Sequence, residues 1–154
     1  MSETSEQYKD ALISGAVASI LSAVVLAACG QIENRRPAGP INGPSQWVHG
    51  RAAARVRTPS VRHTLTGFVI HHLMATGWAL LHERLLGSQK ARQNFPARLA
   101  RAALTATAAN VVDFQLTPKR LQPGFDTQLT RGSLLAVYAA FAVGLALLKP
   151  RKRI

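Results

Sequence analysis

The stretch Thr64-Leu-Thr-Gly-Phe-Val-Ile-His-His-Leu-Met-Ala-Thr-Gly-Trp-Ala-Leu-Leu-His-Glu-Arg-Leu-Leu86 decides the reading of the fold. It is a 23-residue apolar run, yet it holds His71 and His72 inside and His82 and Glu83 near its far end. Ionisable side chains are costly in a bilayer, so a helix that carries them either buries them against protein or uses them. Three further apolar stretches surround it. Ala11–Cys29 and Ser133–Leu148 contain no charged residue. The third, Ala97–Leu116, is weaker. Its uncharged centre is Ala102–Val112, mostly alanine and threonine, and it needs partners against which small side chains can pack. Ala11–Cys29 would be about 28 Å long as a helix, enough to cross a hydrocarbon core. The expectation is an all-α, integral membrane four-helix bundle, forming a single membrane domain over residues 1–154.

Composition narrows the partners. The chain has 19 Lys and Arg against 7 Asp and Glu, a net charge of +12. Such a balance invites nucleic acid, but there is no aromatic RNA-binding signature. The basic residues crowd the ends of apolar runs instead. There they meet anionic lipid headgroups, at roughly 1 kcal/mol per residue. The expected partner is a bilayer with anionic headgroups, and nucleic acid is not expected. Lys149-Pro-Arg-Lys-Arg153 directly follows the last apolar run, as an anchor would. The location expected is a bacterial inner membrane, crossed several times, with both termini cytoplasmic. The two sides would collect ten and nine of the 19 basic residues, so the compact C-terminal cluster carries the orientation.

The single cysteine, Cys29, excludes an internal disulfide. Leu26-Ala-Ala-Cys-Gly30 has the form of a lipobox, in which Cys29 would be lipidated and residues 1–28 removed. The start of the chain has Glu3, Glu6 and Asp10 against Lys9, whereas a signal peptide begins with positive charge. The alternative is a small thiol near the end of a membrane helix.

Within the first stretch Gly15, Ser19, Ser22 and Ala23 share one helical face, a stripe that lets another helix approach closely. The connection that follows is broken by prolines and Asn42-Gly43. Ser45 then offers an N-cap for an interfacial helix over Gln46–Val56, with Trp47 at headgroup depth and Arg51 and Arg55 one turn apart. A second connection, with Lys119, Arg120 and Pro123-Gly124, emerges on the same side. Trp47, Arg51, Arg55, Lys119 and Arg120 are therefore candidates for a phosphate-bearing lipid headgroup, or for plain interfacial anchoring.

Chemistry would rest on the buried polar residues. With the second and third stretches antiparallel, His71 and His72 lie roughly 11 Å from one membrane edge and Asn110 roughly 9 Å from the same edge. Thr107, Asn110 and Asp113 form a seam, and the simplest arrangement sets it against the histidines. His71, His72, Asn110 and Asp113 could then hold a transition metal ion or move protons. Interhelical hydrogen bonding is the structural alternative. At the other edge Glu83 comes near Arg98 and Arg101, a salt-bridge arrangement. A metal would need a further ligand, such as His49. Haem is disfavoured, because His71 and His82 are about 16 Å apart along one helix. No catalytic residue is assigned, since no nucleophile–base pair, phosphate loop, HExxH or CxxC occurs.

The layout of Pro40-Ile-Asn-Gly-Pro-Ser-Gln-Trp-Val-His-Gly50, Thr66-Gly-Phe-Val-Ile-His-His72 and Asp113-Phe-Gln-Leu-Thr-Pro-Lys-Arg-Leu-Gln-Pro-Gly124 resembles small multi-pass bacterial inner-membrane proteins that carry no assigned activity. That resemblance is one of layout and carries no catalytic residue over; the leading expectation is a non-enzymatic accessory or structural subunit, either self-associating as a homo-oligomer or placed within a larger membrane complex. Two alternatives stand beside it. One is a metal-ion or proton-handling protein. The other binds or modifies anionic lipid through its basic loops.

Overall fold

The computed structural model describes residues 3–86 and 94–148, and no strand occurs among them. The C-terminal basic cluster lies outside the described residues. Two short helices, α2 (Ala38–Asn42) and α3 (Gln46–His49), interrupt the connection that follows the first long helix, α1 (Glu3–Asn34). Three more long helices complete the chain: α4 (Thr66–Leu86), α5 (Phe95–Val111) and α6 (Arg131–Leu147).

Among the described residues two helices are long and apolar enough to cross a membrane: α1, and α4 together with the π turn Val61–Leu65 that leads into it. α6 is apolar but shorter. The stretch expected as 97–116 is helical throughout, α5 running on into a wider π turn, Val112–Leu116, but it is not among the helices apolar enough to cross a membrane. α1 extends past the apolar run 11–29 at both ends. It stops at Arg35, which adopts a left-handed backbone (φ 54°), while the Arg36 N–H donates back to the Gly30 carbonyl at 3.1 Å. The Arg35 N–H donates to the Gln31 carbonyl at 3.1 Å, the five-to-one hydrogen bond that accompanies a left-handed residue at many helix ends, with Pro37 following where the helix cannot continue.

α1 is the centre of the packing, lying against both α4 and α6, while α5 rests on α6 and touches α4 lightly. Small residues make this possible. A Cβ added at Gly15 would stand 2.8 Å from the Thr76 Cα, and one at Gly144 would stand 2.4 Å from the Ala18 Cα. The stripe of Gly15, Ser19 and Ser22 does face α4, as its spacing predicts. Ala18, Ala79, Ala102 and Ala146 are fully buried, whereas Leu73, Leu104 and Leu135 are 64, 68 and 69% exposed. The interior is thus rich in alanine, serine and glycine, with Leu26 and Leu145 buried among them, while many other bulky aliphatic side chains point outward.

The far end of α6 is closed by Arg98, whose Nε donates to the Ala146 carbonyl at 3.0 Å. Its near end is closed by Glu33 of α1. Glu33 accepts from the Thr130 N–H at 3.0 Å, from the Thr130 hydroxyl at 2.8 Å and from the Ser133 hydroxyl. A carboxylate at a helix N-terminus also meets the favourable end of the helix dipole. Glu33 lies beyond the apolar run that ends at Cys29. The Ser133 hydrogen bond, above all, holds its carboxyl below the usual range; desolvation opposes this, and the Thr130 contacts reinforce it.

The connections on that side form a folded layer. The single interfacial helix expected over Gln46–Val56 is replaced by α3 and a 3-10 turn, Arg51–Arg55. Gly50 separates them with φ +83°, a backbone that L side chains rarely adopt. Ser45 does not cap α3 with its side chain; its hydroxyl meets His63 Nδ1 at 3.3 Å. Buried amides knit the layer. Asn42 Nδ2 donates to the Val56 and Thr58 carbonyls, at 2.8 and 3.0 Å, while its Oδ1 accepts from the Thr64 hydroxyl at 2.7 Å. Gln128 Nε2 donates to the carbonyls of Gly39 and Ala54, at 2.9 and 2.7 Å. Short turns leave carbonyls without helical partners, and side-chain amides supply the missing donors.

Candidate functional site

Two recesses open in this layer, and neighbouring residues divide between them. Gln46, Gln122 and Gly124 line one, while Trp47, Pro123 and Phe125 line the other. The shared wall is held by the Gln122 carbonyl, which accepts from Gln46 Nε2 and from Trp47 Nε1, the latter at 3.3 Å. Gln122 itself is fixed by its Nε2, which donates to the Phe114 and Thr117 carbonyls at 3.2 and 3.0 Å.

The first recess is basic. Arg51 and Arg55 come from the 3-10 turn after Gly50, and Lys119 comes from the second connection. Asp126 is the one acid in its lining. The empty volume is about 860 Å³, including the open mouth. All three cations are exposed, so they remain hydrated and available to an anion.

The second recess is apolar and lies where α4 and α5 touch least. Its cavity volume is about 60 Å³, room for a small group rather than for a drug-sized ligand. His71 and Trp78 of α4, Asp113 of the π turn, Tyr138 and Phe141 of α6, and Trp47 contribute to its walls. His71 Nε2 lies 3.2 Å from the Ser19 carbonyl and 2.9 Å from the Ser22 hydroxyl, which itself donates to the Ala18 carbonyl at 2.7 Å. A nitrogen facing a carbonyl must carry the proton. Its ring also stands edge-on to Phe125 at 5.8 Å. Tyr138 donates to Asp113 Oδ2 at 2.6 Å.

The structure therefore brings together two of the four residues expected to share a metal or proton site. His71 and Asp113 line one cavity. His72, turned about 100° further round the helix, stacks on Phe68 at 6.1 Å, with its Nδ1 buried and unpartnered. Asn110 faces a separate recess with Phe114, Lys119 and Arg131. Among the described residues no group of three or more His, Cys, Asp or Glu side chains is placed to hold a metal ion. His49 is occupied elsewhere, with its Nε2 3.1 Å from the Arg62 carbonyl and its ring 5.3 Å from that of His63.

At the opposite end of the bundle Glu83 and Arg98 are both buried. The Ser14 hydroxyl donates to Glu83 at 3.5 Å, and His82 Nδ1 meets the Thr105 hydroxyl at 2.8 Å. Of the headgroup candidates, Arg51, Arg55 and Lys119 converge. Trp47 turns into the aromatic cavity, and Arg120 is not in the lining of either recess. Cys29 sits half-buried within the unbroken α1, against the cluster of Leu26, Phe125 and Val137. Removal of residues 1–28 would take away the helix on which α4 and α6 pack.

Tyr138, Ser22, Gln122 and Asp126 were not among the residues that the sequence singled out for a site. The signal for Tyr138 was present. Comparing depths along α6 as well as α5 places its hydroxyl near Asp113. No protein-family model matches the chain, and no curated protein or solved structure matches it significantly.

Proposed function

We propose that this chain is a small, non-enzymatic membrane bundle that binds the phosphate of an anionic lipid headgroup in the recess of Arg51, Arg55 and Lys119. The observation that carries the reading is the convergence of three cations from two separate connections on one recess, opposed only by Asp126 in its lining. Arginine pairs suit phosphate because their planar forks donate two parallel hydrogen bonds, and lysine adds a point charge. The membrane part of the reading draws support from α1 and α4, from the small-residue interior, and from the outward-facing leucines. Small residues at helix contacts and bulky aliphatics outside suit a lipid solvent.

Alternating helix directions put the start of α1 and the end of α6 on one side and the basic layer on the other. A multi-pass placement in a bacterial inner membrane, with the termini cytoplasmic, belongs to the same proposal. Its work is that of an accessory or structural component, exerted through lipid binding.

The test is lipid retention by the detergent-purified protein, read by native mass spectrometry after exchange into equimolar phosphatidylglycerol and phosphatidylcholine. The expected result is selective retention of phosphatidylglycerol, weakened at least tenfold in Arg51→Ala/Arg55→Ala and unchanged in Arg57→Ala. Equal retention of both lipids, or an unaffected double variant, would overturn the reading.

A further inference from the structure

We propose that the cavity between α4 and α5 is a second binding site, for the alkylated ammonium group of an organic cation. It shares no lining residue with the basic recess and stands independently of the phosphate reading.

The first argument is composition. The chain has nine Phe, Trp and Tyr residues in all, from 5 Phe, 2 Trp and 2 Tyr. Five of them, Trp47, Trp78, Phe125, Tyr138 and Phe141, line this one cavity. Aromatic faces are electron-rich, and several around one space attract a cation, with tryptophan the strongest.

The second argument is charge. Asp113 is the only acidic residue in the lining, and no Lys or Arg lines the cavity, in a chain that has 19. A carboxylate can accept about four hydrogen bonds. Among the described residues Asp113 receives one, from Tyr138, and no Lys or Arg pairs with it. A carboxylate in apolar surroundings either takes up a proton or needs compensation, and a ligand cation would favour its charged form.

The third argument selects the kind of cation. A primary ammonium has three N–H donors to satisfy. His71 is committed to Ser19 and Ser22, and Tyr138 to Asp113, which leaves the open positions of the single Asp113 carboxylate; the three N–H bonds of an ammonium diverge, so one carboxylate cannot accept them all. A quaternary ammonium has no N–H group and needs only aromatic faces and one negative charge. An anionic ligand would face Asp113 directly.

Such a group could arrive on a soluble cation or on a choline-type lipid headgroup, because Pro44, Trp47 and Pro123 of the connections contribute to the walls. Both tryptophans of the chain line the cavity, so intrinsic fluorescence reports on it directly. The experiment titrates the full chain in maltoside micelles with choline, and separately with 3,3-dimethylbutan-1-ol, its uncharged carbon isostere.

The expected result is a saturable change in tryptophan emission with choline, at least tenfold weaker binding of the isostere, and loss of that preference in Asp113→Asn. Tyr138→Phe removes the hydroxyl but keeps the carboxylate, and it is expected to retain the preference. A choline response equal to that of the isostere, an undiminished preference in Asp113→Asn, or no emission change with choline would overturn the proposal. Competition by phosphatidylcholine, but not phosphatidylglycerol, nanodiscs would assign the cation to a lipid headgroup. Saturable choline binding without that competition would assign it to a soluble cation.

Discussion

Gly144→Ala adds one methyl group where α6 crosses α1. Built there, its Cβ would stand 2.4 Å from the Ala18 Cα, 2.8 Å from the Ala18 nitrogen and 3.0 Å from the Ala18 Cβ. Carbon atoms pack best at about 3.5–4.0 Å, so the two helices must part by roughly 1 Å. The obstructing atoms are mainly helix backbone, which cannot swing aside as a flexible side chain would. A gap of about 0.5–1 Å already forfeits a quarter to a half of the dispersion attraction across it. The neighbouring buried contacts of Ala142, Leu145 and Ala146 loosen with it. Overpacking of this kind costs about 1–3 kcal/mol, which lowers the folding constant about five- to 150-fold. Gly77→Ala is the matched control, because nothing lies within 4 Å of its added methyl group. Alanine is up to about 1 kcal/mol better than glycine in a helix, so this variant is expected to be neutral or slightly stabilised. Reversible unfolding in mixed dodecyl maltoside and SDS micelles, followed by far-UV circular dichroism, gives both values. A Gly144→Ala variant as stable as the parent, or a Gly77→Ala variant equally destabilised, would refute the close approach of α1 and α6.

Gln128→Met keeps the bulk of a buried side chain but removes the donor to the Gly39 and Ala54 carbonyls. The expected cost is about 1–3 kcal/mol, with faster hydrogen exchange over residues 38–56 and little change in α5, which mass spectrometry would resolve. Glu33 gives a pH effect of definite sign. Its carboxyl is held below the ordinary value of 4.5, so its stabilising contribution is complete above that pH and is lost as the pH falls through the lower folded-state value. Unfolding midpoints measured from pH 6 downward should show Glu33→Gln less stable than the parent near neutrality, with the difference narrowing in acid. A difference that widens in acid would contradict the assignment.

The helices were legible because a run without charge is a local property of the sequence. Ala11–Cys29 and Thr64–Leu81 announce themselves whatever they pack against. The serine and glycine stripe on α1 could be assigned a face for the same reason, since helical geometry is regular there. Depth reasoning along antiparallel helices sets Asn110 level with His71 and Asp113 about one turn shallower, yet it is Asp113 that lines the cavity with His71 while Asn110 faces another recess. Asp113 lies in the π turn and Asn110 in the α-helix before it, so the two do not keep the single face that the seam assumes. Adjacent histidines diverge by about 100° on a helix, which separates His72 from the cavity. The layer of connections was the least legible part. Asn42, Gln122 and Gln128 look like ordinary polar loop residues until the carbonyls they serve are known. Those carbonyls lie in turns whose geometry depends on Gly50 and on the far end of the chain. The interfacial helix failed locally, because three alanines and two arginines favour a helix but Gly50 breaks it.

The position of α1 between α4 and α6 has a consequence for biosynthesis. A ribosome makes α1 first and α6 last among these helices, yet the two share a seam that joins opposite ends of the chain. The serine-lined face of α1 waits for α4, and Ala18 waits until Gly144 has emerged. Contacts between distant segments close slowly because the intervening chain must first be ordered. The helix that exists earliest is therefore among the last to be enclosed. The serine face is covered once α4 is made, but the Ala18 face stays open until α6 follows, close to the end of synthesis.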